Sequence, residues 1–187
     1  MNAGYKQRIR GIVFSALIGA LYVALTVAFA PISYAIVQFR LAEALCLLPF
    51  YAPETAFGLF VGCLLANILS PIGGPMYIPD IILGSLATLI SAVVVSRMKT
   101  RWMTPLPVIL ANALIVGAEL SYFSDYLYGK HIPFFVTALS VGLGELAVCA
   151  LLGLPMLYAL SRIPYFRRLF PRRFDEIIMR GATEQCR

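Results

Sequence analysis

The chain has 187 residues, of which 60% are hydrophobic and only 13% are charged, and its mean hydropathy is +0.85. Soluble domains contain about 25% charged residues, and a soluble fold of this size could not bury so much apolar surface. The composition therefore excludes a soluble protein. It predicts an all-α membrane protein whose residues 1–187 form a single transmembrane domain.

Apolar stretches with little or no charge predict six transmembrane helices. In chain order they lie near residues 11–30, 38–51, 55–70, 79–97, 104–121 and 133–161. A helix needs about 20 mostly apolar residues to cross a bilayer. The second stretch is short and contains Pro49, whereas the last is long enough to tilt or to include an interfacial turn.

The positive charges favour six crossings with both termini in the cytoplasm. This topology puts every Lys and Arg inside except Arg40 and Lys130, as the positive-inside rule requires. If 38–51 did not cross, the basic N-terminal segment 1–10 and the basic tail 162–187 would lie on opposite sides. The net charge of +6 is then explained by topology and by contact with anionic lipids, and nucleic-acid binding is not expected.

The N-terminus resembles a signal peptide, because basic residues precede an apolar run that ends in Ala28-Phe29-Ala30. The run is long, however, and Pro31 follows the small residues. We therefore expect the first helix to be retained.

Sequence motifs for catalysis and for metal binding are missing. There is no phosphate-binding loop, no H-E-x-x-H and no G-x-S-x-G, and the cysteines form no C-x-x-C. His131 is the single histidine. We expect no metal site and no cofactor in this chain, which leaves a transporter, a channel or a membrane-bound recognition subunit.

Polar and ionisable residues recur in the apolar stretches, where a carboxylate costs a few kcal/mol or more unless it is paired. The stretch QFRLAEALCLLPF (38–50) alone contains three. On the predicted topology most of them fall in the outer half, so we predict that they line a substrate pocket open to the outside. The candidate residues are Gln38, Arg40, Glu43, Asn67, Asp80, Asn112, Glu119 and Glu145.

Spacing places some of these residues on common helix faces. Asn112 and Glu119 are seven positions apart and share one face. Gly142, Glu145 and Cys149 share another, and the small Gly142 would let a ligand or a neighbouring helix approach Glu145.

Structural roles are alternatives for several candidates. Asp80 follows Pro79 and could be a helix N-cap. Arg40 and Glu43 are three apart and could form an interfacial ion pair. Asn67 and Asn112 could form hydrogen bonds between helices.

Small residues recur every four positions along the first helix, which predicts a smooth face for close helix packing. This face could pack within the bundle or dock another membrane protein. Its residues are Ala16, Ala20, Ala24 and Ala28, with Gly19 beside them. Gly58-x-x-x-Gly62 is a similar, weaker pattern.

Over roughly residues 10–162 the chain resembles the substrate-binding S components of energy-coupling factor (ECF) transporters, and among them the QueT family of queuosine-precursor transporters. The resemblance lies in five stretches that are specific together: QFRLAEALCLLPF (38–50), GLFVGCLLANILS (58–70), DIILGSLATLISA (80–92), NALIVGAEL (112–120) and VGLGELAVCALLGLP (141–155). The alanine ladder is similar to the face with which S components meet the transmembrane T component.

The resemblance implies a six-helix bundle in the bacterial cell membrane, a pocket open to the outside, and a complex with one T component and two ATPase subunits. ATP would be hydrolysed by those partners, so the chain itself is not an enzyme. The implied ligand is a 7-deazaguanine: queuine or its cyano or aminomethyl precursors. An S component for another vitamin or nucleobase, and a self-sufficient small secondary transporter, are the alternatives.

Overall fold

The computed structural model describes residues 3–33, 39–69, 78–125, 129–171 and 174, and within these ranges every regular element is a helix. This confirms the all-α prediction. The α-helices are α1 (Ala3–Ala28), α2 (Ala30–Ser33), α3 (Thr55–Ile68), α4 (Ile78–Arg97), α5 (Pro105–Ala111), α6 (Gly117–Tyr122), α7 (Phe134–Val148), α8 (Leu154–Arg162) and α9 (Pro164–Leu169).

Short segments of other helix types connect or interrupt these α-helices. A 3-10 helix spans Leu41–Phe50, and another spans Arg101–Met103. A π-helix at Asn112–Val116 joins α5 to α6, and a second at Cys149–Gly153 joins α7 to α8. Pro155 follows the second one, and a proline without an N–H disturbs the hydrogen bonds of the preceding turn.

Four helices of the described chain are long and apolar enough to cross a membrane: Gln7–Ala28, Ile78–Arg97, Arg101–Tyr122 and Phe134–Arg162. They coincide with four of the six predicted spans. The first helix begins at Ala3, so the predicted N-terminal segment 1–10 is mostly helical and continuous with it.

The two remaining predicted spans are shorter than a bilayer crossing. The 3-10 helix Leu41–Phe50 has 10 residues and rises about 20 Å, and the 14 residues of α3 rise about 21 Å. The hydrocarbon core is about 30 Å thick. A helix is therefore present within the predicted span 38–51, as a 3-10 helix over Leu41–Phe50, while six crossings and cytoplasmic termini stay predictions.

Helices α1 and α3 cross in close contact because glycines face one another. A Cβ added to Gly19 would lie 2.5 Å from the carbonyl oxygen of Gly58, and one on Gly62 would lie 2.6 Å from that of Gly19. Ser15 adds a polar link, since its hydroxyl donates to the Glu54 carbonyl at 2.7 Å and accepts from the Gly58 N–H at 3.1 Å. Backbone contact of this kind stabilises helix pairs in membranes.

An aromatic cluster closes the end of the bundle where α1 begins. Phe166, Phe170 and Phe174 are buried against Phe14 and Tyr51, and the Tyr51 and Phe174 rings stack with centroids 4.6 Å apart. The first part of the predicted cytoplasmic tail is therefore a packed element of the domain.

The glycine crossing generates a stability prediction. In Gly58→Ala the new methyl group would collide with the backbone carbonyl of Ser15, which cannot move without displacing α1. Overpacking of this kind costs about 1–3 kcal/mol. We expect a lower midpoint of thermal unfolding in detergent.

Gly142→Ala is the matched control, because the nearest atom to its new methyl group is the Ala113 Cβ at an ordinary 3.5 Å. Equal unfolding midpoints for the two variants would contradict the close crossing.

Candidate functional site

Side-chain contacts bring polar residues from several elements together inside the bundle. The end of α3 and the start of α4 meet the start of the 3-10 helix, where Arg40 lies. Seven of the eight candidate residues lie in the described chain, and all seven are buried. The eighth, Gln38, lies outside the described residues.

An ion pair between Arg40 and Asp80 joins the 3-10 helix to α4. Arg40 Nη2 lies 3.3 Å from Asp80 Oδ2, and the two residues are only 3% and 6% exposed. A buried charge requires such a partner, because its desolvation costs several kcal/mol. The pair therefore fixes Arg40 at the centre of the site.

Helix α3 contributes two residues that contact this ion pair. Asn67 Nδ2 donates to the Asp80 carbonyl oxygen at 2.8 Å, and the Cys63 sulfur lies 3.8 Å from Arg40 Nη1 and 3.7 Å from Asn67 Nδ2. Gly84 leaves room for the carboxylate, since an added Cβ would lie 2.5 Å from Asp80 Oδ1.

Glu43 is held by hydroxyl groups from two other helices. Tyr22 on α1 donates to Glu43 Oε1 at 2.5 Å. The Thr88 hydroxyl on α4 shares its one proton between the Gly84 carbonyl oxygen at 3.1 Å and Glu43 Oε1 at 3.5 Å. Glu43, Tyr22 and Thr88 are completely buried. Glu43 thus lies at the meeting point of the 3-10 helix, α1 and α4.

Two further carboxylates approach this centre from the other half of the chain. Glu145 on α7 is close enough to Glu43 and Arg40 to interact with them electrostatically. Glu119 on α6 interacts in the same way with Asp80 and Arg40. The described part of the site therefore combines one guanidinium group with four carboxyl groups.

Several polar atoms in this region have no hydrogen-bond partner among the described residues. An unsatisfied buried polar atom costs about 1–3 kcal/mol, so such atoms are rare unless they serve a purpose. A ligand that offers N–H groups would satisfy most of them, since all but one are acceptors. They are Glu43 Oε2, Asn67 Oδ1, Asp80 Oδ1, Glu119 Oε2, Glu145 Oε2 and, as the one donor, Asn112 Nδ2.

The purely structural roles predicted for Asp80, Arg40 and Asn67 agree with the structure in some cases and not in others. Asp80 is not the N-cap residue, because α4 begins at Ile78 and Asp80 lies inside its first turn. Arg40 forms its ion pair with Asp80, 40 positions away, whereas Glu43 accepts from Tyr22. The hydrogen bond between helices predicted for Asn67 is present.

Asn112 and Gly142 lie on the elements of the second half of the chain. Asn112 is buried at the first residue of a π-helix. Gly142 faces the π-helix Asn112–Val116, with Ala113 Cβ 3.5 Å from the position of its missing side chain. Gly142 thus admits a neighbouring helix, which was one of the two expectations for it.

Four residues of the site were not anticipated: Tyr22, Cys63, Gly84 and Thr88. A signal existed for Tyr22, because a tyrosine hydroxyl inside an apolar helix needs a hydrogen-bond partner. The other three are small residues of ordinary transmembrane composition.

The small residues of α1 divide into two faces. Ser15, Gly19, Tyr22 and Thr26 are buried against the bundle, whereas Ala16, Ala20, Ala24 and Ala28 are exposed. Beside the exposed alanines, an apolar groove of about 480 Å³ runs between α1 and α3. Gly19, Gly58 and Gly62 form its floor, and Ala16, Ala20, Phe57 and Leu65 are among its walls.

Comparison with known proteins identifies the family. The sequence profile of the QueT transporter family matches residues 12–162. The curated queuosine precursor transporter QueT of Lactococcus lactis subsp. cremoris (strain MG1363) is 34% identical over 87 residues, which is 46% of this chain and 48% of that protein. The alignment thus spans about half of the relative's length. No solved structure matches this chain.

The match covers most of the chain, including every element that supplies a described site residue. The long apolar helices are those of a multi-pass membrane protein. The chain is therefore a multi-pass bacterial membrane protein that belongs to the QueT transporter family.

Proposed function

We propose that this chain is the substrate-binding S component of an ATP-driven ECF uptake system, and that it captures a queuosine precursor of the 7-deazaguanine type for import. The observation that carries the proposal is the buried group of carboxyl and amide side chains around Arg40, whose free oxygens can accept N–H groups. The name of the Lactococcus relative supports the same substrate.

The chemistry of a 7-deazaguanine suits these residues. Its guanine-like edge offers N–H donors, which a carboxylate accepts, and its O6 accepts from Arg or Gln. We assign the N–H edge to Glu145 or Glu119, and O6 to Arg40 or Gln38. Another carboxylate would bind the amine of queuine or of the aminomethyl precursor.

The balance of charges favours a cationic ligand. The four carboxyl groups of the described site face one guanidinium group, which is already paired with Asp80. An ammonium group on the ligand would pair with a carboxylate such as Glu43 in a region of low dielectric constant, where such a pair is strong. The neutral cyano precursor would not.

Energy coupling requires partners, because the sequence contains no phosphate-binding loop. We propose one T component and two ATPase subunits, with the exposed alanines of α1 and the adjacent groove as the docking surface for the T component. The exposure of all four alanines supports docking over packing within the bundle. In this complex the chain would cross the membrane six times, with the site open to the outside.

The second candidate function is a self-sufficient secondary transporter. It predicts uptake by the purified chain in proteoliposomes without ATPase subunits. The division of α1 into a buried face and an exposed small-residue face favours the S component, because a self-sufficient bundle does not need a smooth outer surface.

We expect the purified chain in detergent to bind queuine and the aminomethyl precursor more tightly than the cyano precursor, since only the first two carry an ammonium group. Equilibrium dialysis would measure the three dissociation constants, with guanine and a set of B vitamins as controls. Tight binding of a B vitamin instead would identify an S component for another ligand. No binding of any deazaguanine by folded protein would overturn the substrate assignment.

Glu145→Gln should weaken binding of the preferred deazaguanine by about tenfold or more, because it replaces a buried carboxyl oxygen by an amide nitrogen and a mismatched buried polar group costs about 1–3 kcal/mol. The domain should stay folded, since the amide occupies the same volume. Glu54→Gln changes an exposed carboxylate at the start of α3 and serves as the control. Equal dissociation constants for wild type and Glu145→Gln would remove Glu145 from the site.

Ala20→Leu and Ala24→Leu should leave ligand binding intact and abolish ATP-driven uptake, because each adds bulk to the exposed face proposed for docking. Uptake would be measured in cells that express the whole transporter. Ala118→Leu makes the same change at an exposed position of α6 and should have no effect. Normal uptake in both α1 variants would contradict docking on this face and would indicate that the four alanines face lipid.

A further inference from the structure

Tyr22 is a completely buried residue of α1 that reaches the centre of the site. Its hydroxyl donates to Glu43 Oε1 at 2.5 Å, across 21 positions of sequence. This hydrogen bond joins α1 directly to one of the candidate pocket residues. Tyrosine needs a partner for its hydroxyl when buried, but it does not need a carboxylate.

The two oxygens of the Glu43 carboxylate have different surroundings. Oε1 accepts from Tyr22 and, at the longer distance of 3.5 Å, from Thr88. Oε2 is buried and accepts from no described residue. With one oxygen held from α1 and α4, rotation of the carboxylate is restricted and the second oxygen has a fixed direction.

We propose that Tyr22 is a positioning residue for substrate binding: it holds Glu43 Oε1 so that Oε2 is presented to an N–H or ammonium donor of the ligand. This inference rests on the proposed function and assigns a role to a residue outside the predicted pocket. Pre-organised acceptors of this kind bind more tightly because less rotational freedom is lost on binding.

The position of Tyr22 also connects the site to the outer surface of α1. Ala20 and Ala24 flank Tyr22 along the same turn and are exposed, whereas Tyr22 points inward.

The test is a double-mutant cycle with Tyr22→Phe and Glu43→Gln, using the full chain in detergent and the deazaguanine that the wild type binds most tightly. Tyr22→Phe retains the ring and removes only the hydroxyl, and we expect about tenfold weaker binding. The double variant should bind no more weakly than Glu43→Gln alone, because both changes remove the same interaction.

Thr26→Val is the matched control, since Thr26 is a buried residue one turn further along α1 whose hydroxyl donates to the Tyr22 carbonyl oxygen at 2.9 Å. It should bind like the wild type. Thr88→Val removes the second donor to Oε1 and should weaken binding less than Tyr22→Phe. It provides an independent probe of the same carboxylate if Tyr22→Phe does not fold.

Three results would overturn the positioning role while leaving the proposed function intact: wild-type affinity in Tyr22→Phe, additive effects in the double variant, or equal losses of affinity in Tyr22→Phe and Thr26→Val. Failure of the folded wild type to bind any deazaguanine would instead overturn the proposed function and this inference together. The wild-type measurement therefore separates the two failures.

Discussion

The buried ion pair of Arg40 and Asp80 is the constraint on which the site depends. A guanidinium group within an apolar bundle requires a carboxylate, and here that carboxylate comes from a different helix, 3.3 Å away. The pair joins the start of the 3-10 helix to the first turn of α4. Asn67 then binds the Asp80 carbonyl, so α3 is part of the same arrangement.

Two kinds of contact hold the surrounding helices, and each requires particular residues. Glycines at the α1–α3 crossing allow the backbones to touch, which no side chain with a Cβ would permit at Gly19, Gly58 or Gly62. Hydroxyl groups of Tyr22 and Thr88 then reach Glu43 from α1 and α4. The close crossing sets where α1 lies, and therefore whether the Tyr22 hydroxyl can reach the carboxylate.

A buried site with more carboxyl groups than cations is costly without a ligand, because each unsatisfied oxygen loses its hydration and gains nothing in return. Natural proteins accept such a cost where function needs it. In a transporter the cost has a consequence for specificity, since a ligand that lacks the matching donors leaves the same oxygens unsatisfied.

The sequence by itself determined the membrane class and the four long helices, and it singled out polar residues that the structure buries. These properties are local: apolar content is a sum over neighbouring residues, and a charge inside an apolar stretch is conspicuous whatever its partner. The family resemblance also followed from the sequence, because five separate stretches carried it.

Only the tertiary structure decided which polar groups pair and which face of α1 packs. Arg40 meets Asp80 across 40 positions and Tyr22 meets Glu43 across 21, and such pairings depend on how the helices cross. The small residues on both faces of α1 are similar in sequence, yet Gly19 is buried and Ala20 is exposed, because only glycine permits backbone contact with α3. The 3-10 geometry of Leu41–Phe50 could likewise not be predicted from hydropathy, since the apolar content of a stretch does not specify the type or the length of its helix.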